Sequence, residues 1–85
     1  MSVRVTIDTA SKDHAALIAA ELPGQPSAGS SRGYGVIRLR VRREREATDL
    51  LPLVGACVER HRIGWARVRI GDDQHMLRPR TTGAS

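Results

Sequence analysis

The sequence contains no phenylalanine, one tyrosine (Tyr34) and one tryptophan (Trp65). An aromatic core is therefore excluded, and Val, Ile, Leu and Ala must fill the interior. The single cysteine, Cys57, excludes an internal disulfide framework. No stretch approaches the roughly 20 apolar residues that span a bilayer, and Met1-Ser2-Val3-Arg4-Val5 lacks the apolar run of a secretory leader. These absences lead to the expectation of a cytoplasmic protein with no membrane span. Lysine is nearly missing as well: Lys12 stands alone, and every other basic residue is arginine.

Also missing are a Walker lysine, a nucleophile elbow and paired carboxylates at fixed spacing. Gly33-Tyr34-Gly35 superficially suggests a phosphate loop, but it precedes a strand pattern instead of opening a helix. The sequence is accordingly read as that of a non-enzyme, with no catalytic residue, cofactor or metal site expected.

What is present is an ordinary globular composition, 40% hydrophobic and 27% charged, which places the chain away from disorder. Eighty-five residues suffice for one modest core. Residues 1–78 are expected to form it, with 79–85 a flexible tail.

Val3, Val5 and Ile7 alternate with polar neighbours, the period of a half-buried strand. Thr9 or Ser11 can cap a following helix that buries Leu17, Ile18 and Leu22 and stops at Pro23-Gly24. Residues 23–33 (PGQPSAGSSRG) read as a loop that holds at best a poor edge strand. Residues 34–43 form a second alternating strand, with Ile37, Leu39 and Val41 on one face.

A second helix is expected to start at Thr48 or Asp49, so that Pro52 falls in its first turn. Its inward stripe is Leu50, Leu53, Val54, Cys57, Val58 and His61, and Gly64 is expected at its C′ position. Trp65 to Ile70 is the third strand. His75-Met76-Leu77 reads as a last short helical turn or strand.

The order β-α-(β)-β-α-β predicts an α+β, ferredoxin-like sandwich with two helices on one face of a small sheet. The crossover rule places the strand at 34–43 beside and parallel to the first.

The outer sheet face collects the informative residues. By parity, Arg4, Arg38, Arg40, Arg42, Arg67 and Arg69 share it with Tyr34 and Trp65, and Asp8 is its only acid. Like charges across strands repel, and an anionic partner would relieve them. The formal charge of +5 points the same way, although a genome favouring Arg codons also produces such an excess. The candidate ligand- or partner-binding set is Arg38, Arg40, Arg42, Arg67, Arg69, Trp65 and Tyr34. An RNA platform of the RRM type would need aromatics where the central strands carry Arg. Cys57 and His61 share a helix face at i, i+4 and are read as core packing. His75 beside Asp72-Asp73 is read as a solvated turn, and His14 has no recognisable partner.

In order and texture the chain from Val3 to Gly83 resembles the accessory domain at the C-terminus of the ATPase subunits of daunorubicin-type drug-resistance ABC exporters. The likeness runs through VRVTIDTASKDHAALIAAEL, VIRLRVR, DLLPLVGACVERHRIG, WARVRI, the pair Asp72-Asp73 and Thr82-Gly83. Gln74 and His75 stand where that family has apolar residues, and Pro79 interrupts the approach to Thr82-Gly83. The resemblance implies a small α+β module that attaches to or regulates an export or self-resistance machine. None of these segments belongs to the nucleotide-binding domain that precedes it in the family, so no ATP hydrolysis is carried over to this sequence. The chain also resembles the small adaptor domains of bacterial conflict systems, which act by protein–protein contact.

The leading expectation is thus a non-enzymatic accessory domain that binds a small molecule or an acidic protein, tied to antibiotic export or self-resistance. The competing expectation is a nucleic-acid-binding or regulatory protein that uses the Arg face. A homodimer is expected from the weak segment 23–33, which threatens to leave the strand at 34–43 with an uncovered edge.

Overall fold

The computed structural model describes residues 2–23 and 26–79. Along the chain lie β1 (Val3–Thr9), α1 (Lys12–Glu21), β2 (Ser27–Ser31), β3 (Tyr34–Val41), α2 (Glu44–Arg60), β4 (Ala66–Ile70) and β5 (Asp73–Leu77). The strands form an antiparallel sheet in the order β2-β3-β1-β4-β5. The fold class is α+β.

The alternation of β1 is realised: Val5 and Ile7 are completely buried and pair with Leu39 and Ile37 on one side, Ile70 and Val68 on the other. All six point to the face covered by the helices, where they meet Ala15, Ile18 and Leu22 of the α1 arm and Leu50, Val54, Cys57 and Val58 of α2. Full burial of one such aliphatic side chain contributes about 1.5–3 kcal/mol.

The strand at 34–43 is not parallel to the first. β3 runs antiparallel to β1, pairing Ile7 with Ile37 and Arg4 with Arg40. The reason is the Ser31–Tyr34 corner. Arg32 and Gly33 both have positive φ, 52° and 85°, the pattern of a two-residue type I′ hairpin turn. The segment expected to be mostly loop is therefore β2, and the crossover from β1 through α1 lands on it. β3 then returns as a hairpin between the two.

The helices differ from expectation at their ends. α1 starts where the cap was placed, with the Ser11 side chain accepting from the His14 amide at 3.3 Å. α2 begins at Glu44, before Thr48, and Pro52 lies inside it. Glu44 and Glu46 in the first turn suit the helix dipole, the Glu46 carboxylate accepts the Arg42 amide at 3.1 Å, and Ala47 is completely buried. Together these seat a turn that offsets the hydrogen bond lost at Pro52.

At the other end, Arg62 and not Gly64 adopts the left-handed conformation, φ 53°. Ile63 N–H bonds to the Val58 carbonyl at 2.9 Å and Arg62 N–H to the Glu59 carbonyl at 3.4 Å. This is a Schellman ending, anchored by the fully buried Ile63. Leu17 and Leu53, expected inside, are exposed. His75 lies in β5, opposite Val68. The expected tail from Arg80 on lies outside the described residues.

Candidate functional site

The face of the sheet away from the helices is built by parity alone. β1 contributes Arg4, Thr6 and Asp8, β3 contributes Tyr34, Val36, Arg38 and Arg40, and β4 contributes Arg67 and Arg69. Register then decides neighbours. Arg4 stands opposite Arg40, Thr6 lies between Arg38 and Arg69, and Asp8 lies between Val36 and Arg67. Arg42 falls one residue beyond β3.

These arginines fall into two groups. Arg67 donates through Nε and Nη2 to Asp8 Oδ2, at 3.0 and 2.9 Å, and Arg69 approaches the same carboxylate at 3.1 Å. Asp8 is only 6% exposed, so its charge is compensated by a clamp of two guanidinium groups. Among the described residues, Arg4, Arg38 and Arg40 have no such carboxylate. Arg4, Thr6, Arg40 and Arg69 line a shallow polar depression together with Ser2, Gly71 and the acidic Asp72, which forms no ion pair with them. The positive field is thus concentrated at the Arg4–Arg40 end of the face.

Tyr34 and Trp65 sit at the opposite end. Their rings meet edge-on, centroids 6.3 Å apart at 62°, and Tyr34 remains largely exposed. The structure thereby separates the candidate set. Arg38 and Arg40 join Arg4 around Thr6, Arg67 and Arg69 are turned onto Asp8, and the aromatic pair lies beyond.

A second feature adjoins the basic end. β2 pairs with β3 only from Tyr34 to Arg38, the last pair being Ser27 with Arg38. The next residue towards α1 is Pro26, which has no amide to donate. Among the described residues no strand continues the ladder along Leu39–Val41 on that side. A groove of about 1150 Å³ wraps this edge. Its basic wall is Arg38, Arg40 and Arg42, its apolar wall Leu39, Val41, Leu50, Leu53 and Pro23, and Glu46 and Asp49 flank the helix side. The sequence signalled this groove only faintly, through Pro26 and the apolar Leu53.

Cys57 and His61 are also brought together, through a third residue 36 or more positions away in the chain. Glu21, at the end of α1, receives His61 Nε2 at 2.8 Å and pairs with Arg60. Burial of the Cys57 thiol first, then its interaction with the same carboxylate, pushes its pKa up to about 11. A thiol so shifted carries little thiolate near neutrality, the reverse of nucleophilic activation.

The cluster is a link between helices. The His61 hydrogen bond first, then the interaction with the Cys57 thiol, holds Glu21 below the usual carboxylate range. A depressed acid stabilises the fold above its unfolded pKa, and that contribution disappears as pH falls through the folded value. Glu21→Gln is therefore expected to lower the melting temperature at pH 6, with the gap to the parent protein closing towards pH 3. A constant gap across that range would show that the charge of Glu21 contributes nothing.

Among the described residues, no group of three or more His, Cys, Asp and Glu side chains is arranged to hold a metal ion, and no helix is long and apolar enough to cross a membrane. His14 Nδ1 is buried without a hydrogen-bond partner. No family model, no curated protein and no solved structure matches the chain.

Proposed function

We propose that the chain is a ferredoxin-like, non-enzymatic binding domain that takes an anionic partner on the outer face of its sheet. The β-α-β-β-α-β order, with β5 added beside β4, supports the ferredoxin-like assignment. The observation that carries the functional reading is the uncompensated trio Arg4, Arg38 and Arg40 around Thr6. Asp8 is already committed to Arg67 and Arg69, and Asp72, Glu46 and Asp49 border the trio without pairing with it, so much of its mutual repulsion is left for an anion to relieve. The resemblance to exporter accessory domains supplies a context, a module that attaches to an export or self-resistance machine through an acidic ligand or protein segment.

A second reading, binding of single-stranded nucleic acid, is favoured by one observation. The exposed Tyr34 and its neighbour Trp65 lie on the same face as the arginines, and a base could stack there.

Titration with polyglutamate and with a short single-stranded oligonucleotide separates the two. Binding should weaken by roughly one log unit per log unit of salt for each anion neutralised. Arg4→Gln, Arg38→Gln and Arg40→Gln together should abolish it. Quenching of Trp65 fluorescence by the oligonucleotide, with much tighter binding than polyglutamate, would decide for nucleic acid. No binding of either polyanion at low salt would reject the anionic partner altogether.

A further inference from the structure

We infer that the anionic partner docks as an extended segment of another protein, added as a strand along the edge of β3 at Leu39–Val41 that no described strand pairs, with acidic and apolar residues in alternation. The inference rests on the anion-binding reading and specifies its partner.

Three features of the groove lead to it. The first is backbone. In an antiparallel ladder, successive residues turn their N–H and C=O groups to opposite sides. Of the three residues Leu39, Arg40 and Val41, at least one must therefore offer its pair to the side that β2 has left. Such an edge is a template for a further strand.

The second feature is the contrast between the two walls. Arg38 and Arg40 project to the outer face, whereas Leu39 and Val41 project to the helix side, where Leu50 and the exposed Leu53 continue the apolar wall. A strand laid against this edge has the same two-residue period. Its outer side chains meet guanidinium groups, and its inner ones meet leucine and valine. The third feature fixes the phase. Glu46 and Asp49 flank the inner wall and repel carboxylates there, so acids are confined to the outer row.

Charge also discriminates between occupants. A second copy pairing β3 with its own symmetry mate would set Arg40 against Arg40, or Arg38 and Arg42 against each other, on one face. Nucleic acid has phosphates for the arginines but no strand to complete the ladder and nothing to fill the notch beside Leu53. An alternating acidic–apolar peptide satisfies the backbone, the basic wall and the apolar wall at once.

The test is an NMR titration of the full chain with a short alternating Glu-Val peptide and with a block peptide of the same composition, all the Glu preceding all the Val. The alternating peptide is expected to bind at least about tenfold tighter, to shift amides of residues 39–42 and 50–53, and to slow amide exchange at 39–41. Leu53→Glu should weaken that peptide far more than it weakens polyglutamate, and Arg40→Glu should weaken both.

Equal affinity for the alternating and block peptides would overturn the strand. So would polyglutamate shifts at Arg4, Arg38 and Arg40 with no response to the alternating peptide, although the anion-binding reading would then survive. Silence towards polyglutamate as well would sink both. Concentration-dependent protection of 39–41 without peptide would assign the edge to a second copy. Amide shifts with the oligonucleotide and with none of the peptides would assign the face to nucleic acid and overturn the strand.

Discussion

Replacing Gly35 with alanine is expected to destabilise the protein by about 3 kcal/mol or more, at the upper end of overpacking effects. A Cβ at this position would lie 2.0 Å from the Ser11 carbonyl oxygen and 2.4 Å from Thr9 Oγ1. Neither atom can give way cheaply. Thr9 is completely buried and its hydroxyl donates to that same Ser11 carbonyl at 2.7 Å, while Ser11 is the residue whose side chain caps α1. The methyl group would therefore press on the exit of β1 and the start of α1 together. In contrast, Gly29→Ala has no atom within 4 Å of the added Cβ and should leave stability nearly unchanged. Denaturant unfolding of the two variants measures the difference. A Gly35→Ala protein as stable as Gly29→Ala would mean that β1, β3 and the α1 cap do not approach as described.

Asp8→Ala is expected to move stability and anion affinity in opposite directions. The buried carboxylate satisfies Arg67 and Arg69 at once, and its removal leaves two part-exposed guanidinium groups facing each other. A loss of about 1–3 kcal/mol follows, below the cost of orphaning a fully buried charge because both arginines can reach water. The same change frees the two arginines to join Arg4, Arg38 and Arg40. Polyglutamate should then bind several-fold tighter at low salt, with a steeper salt dependence. Chemical denaturation and titration of one sample measure both quantities. A destabilised variant with unchanged polyglutamate affinity would place the anion site away from this face.

The two outcomes connect the hairpin to the site. The Arg32-Gly33 turn and the close passage of Gly35 over Ser11 set the register of β3 against β1. That register in turn places Arg40 opposite Arg4 and Arg38 opposite Thr6. A slip of one residue would turn Arg38 and Arg40 towards the helices and Leu39 towards water.

What the sequence determined by itself was local: which residues alternate, and hence which share a face. Ile7 and Arg4, Leu39 and Arg40, Val68 and Arg69 are assigned to opposite sides by a period of two, whatever the strands pair with. The Ser11 cap is likewise a matter of neighbours in the chain.

The tertiary structure decided everything that depends on distant partners. Whether β3 lies parallel or antiparallel to β1 turned on a five-residue strand of Ser, Ala and Gly, whose composition is poor but whose turn has the required positive φ values. The depth of Asp8 and its clamp by Arg67 and Arg69 arise across 59 and 61 positions of sequence, a pairing no local pattern encodes. Glu21 meets His61 across 40 positions because the two helices share one sheet face. Pro26 shows the same division of labour. Its missing amide was readable from the sequence, but that it stops the ladder beside Leu39 depends on β2 being there to end.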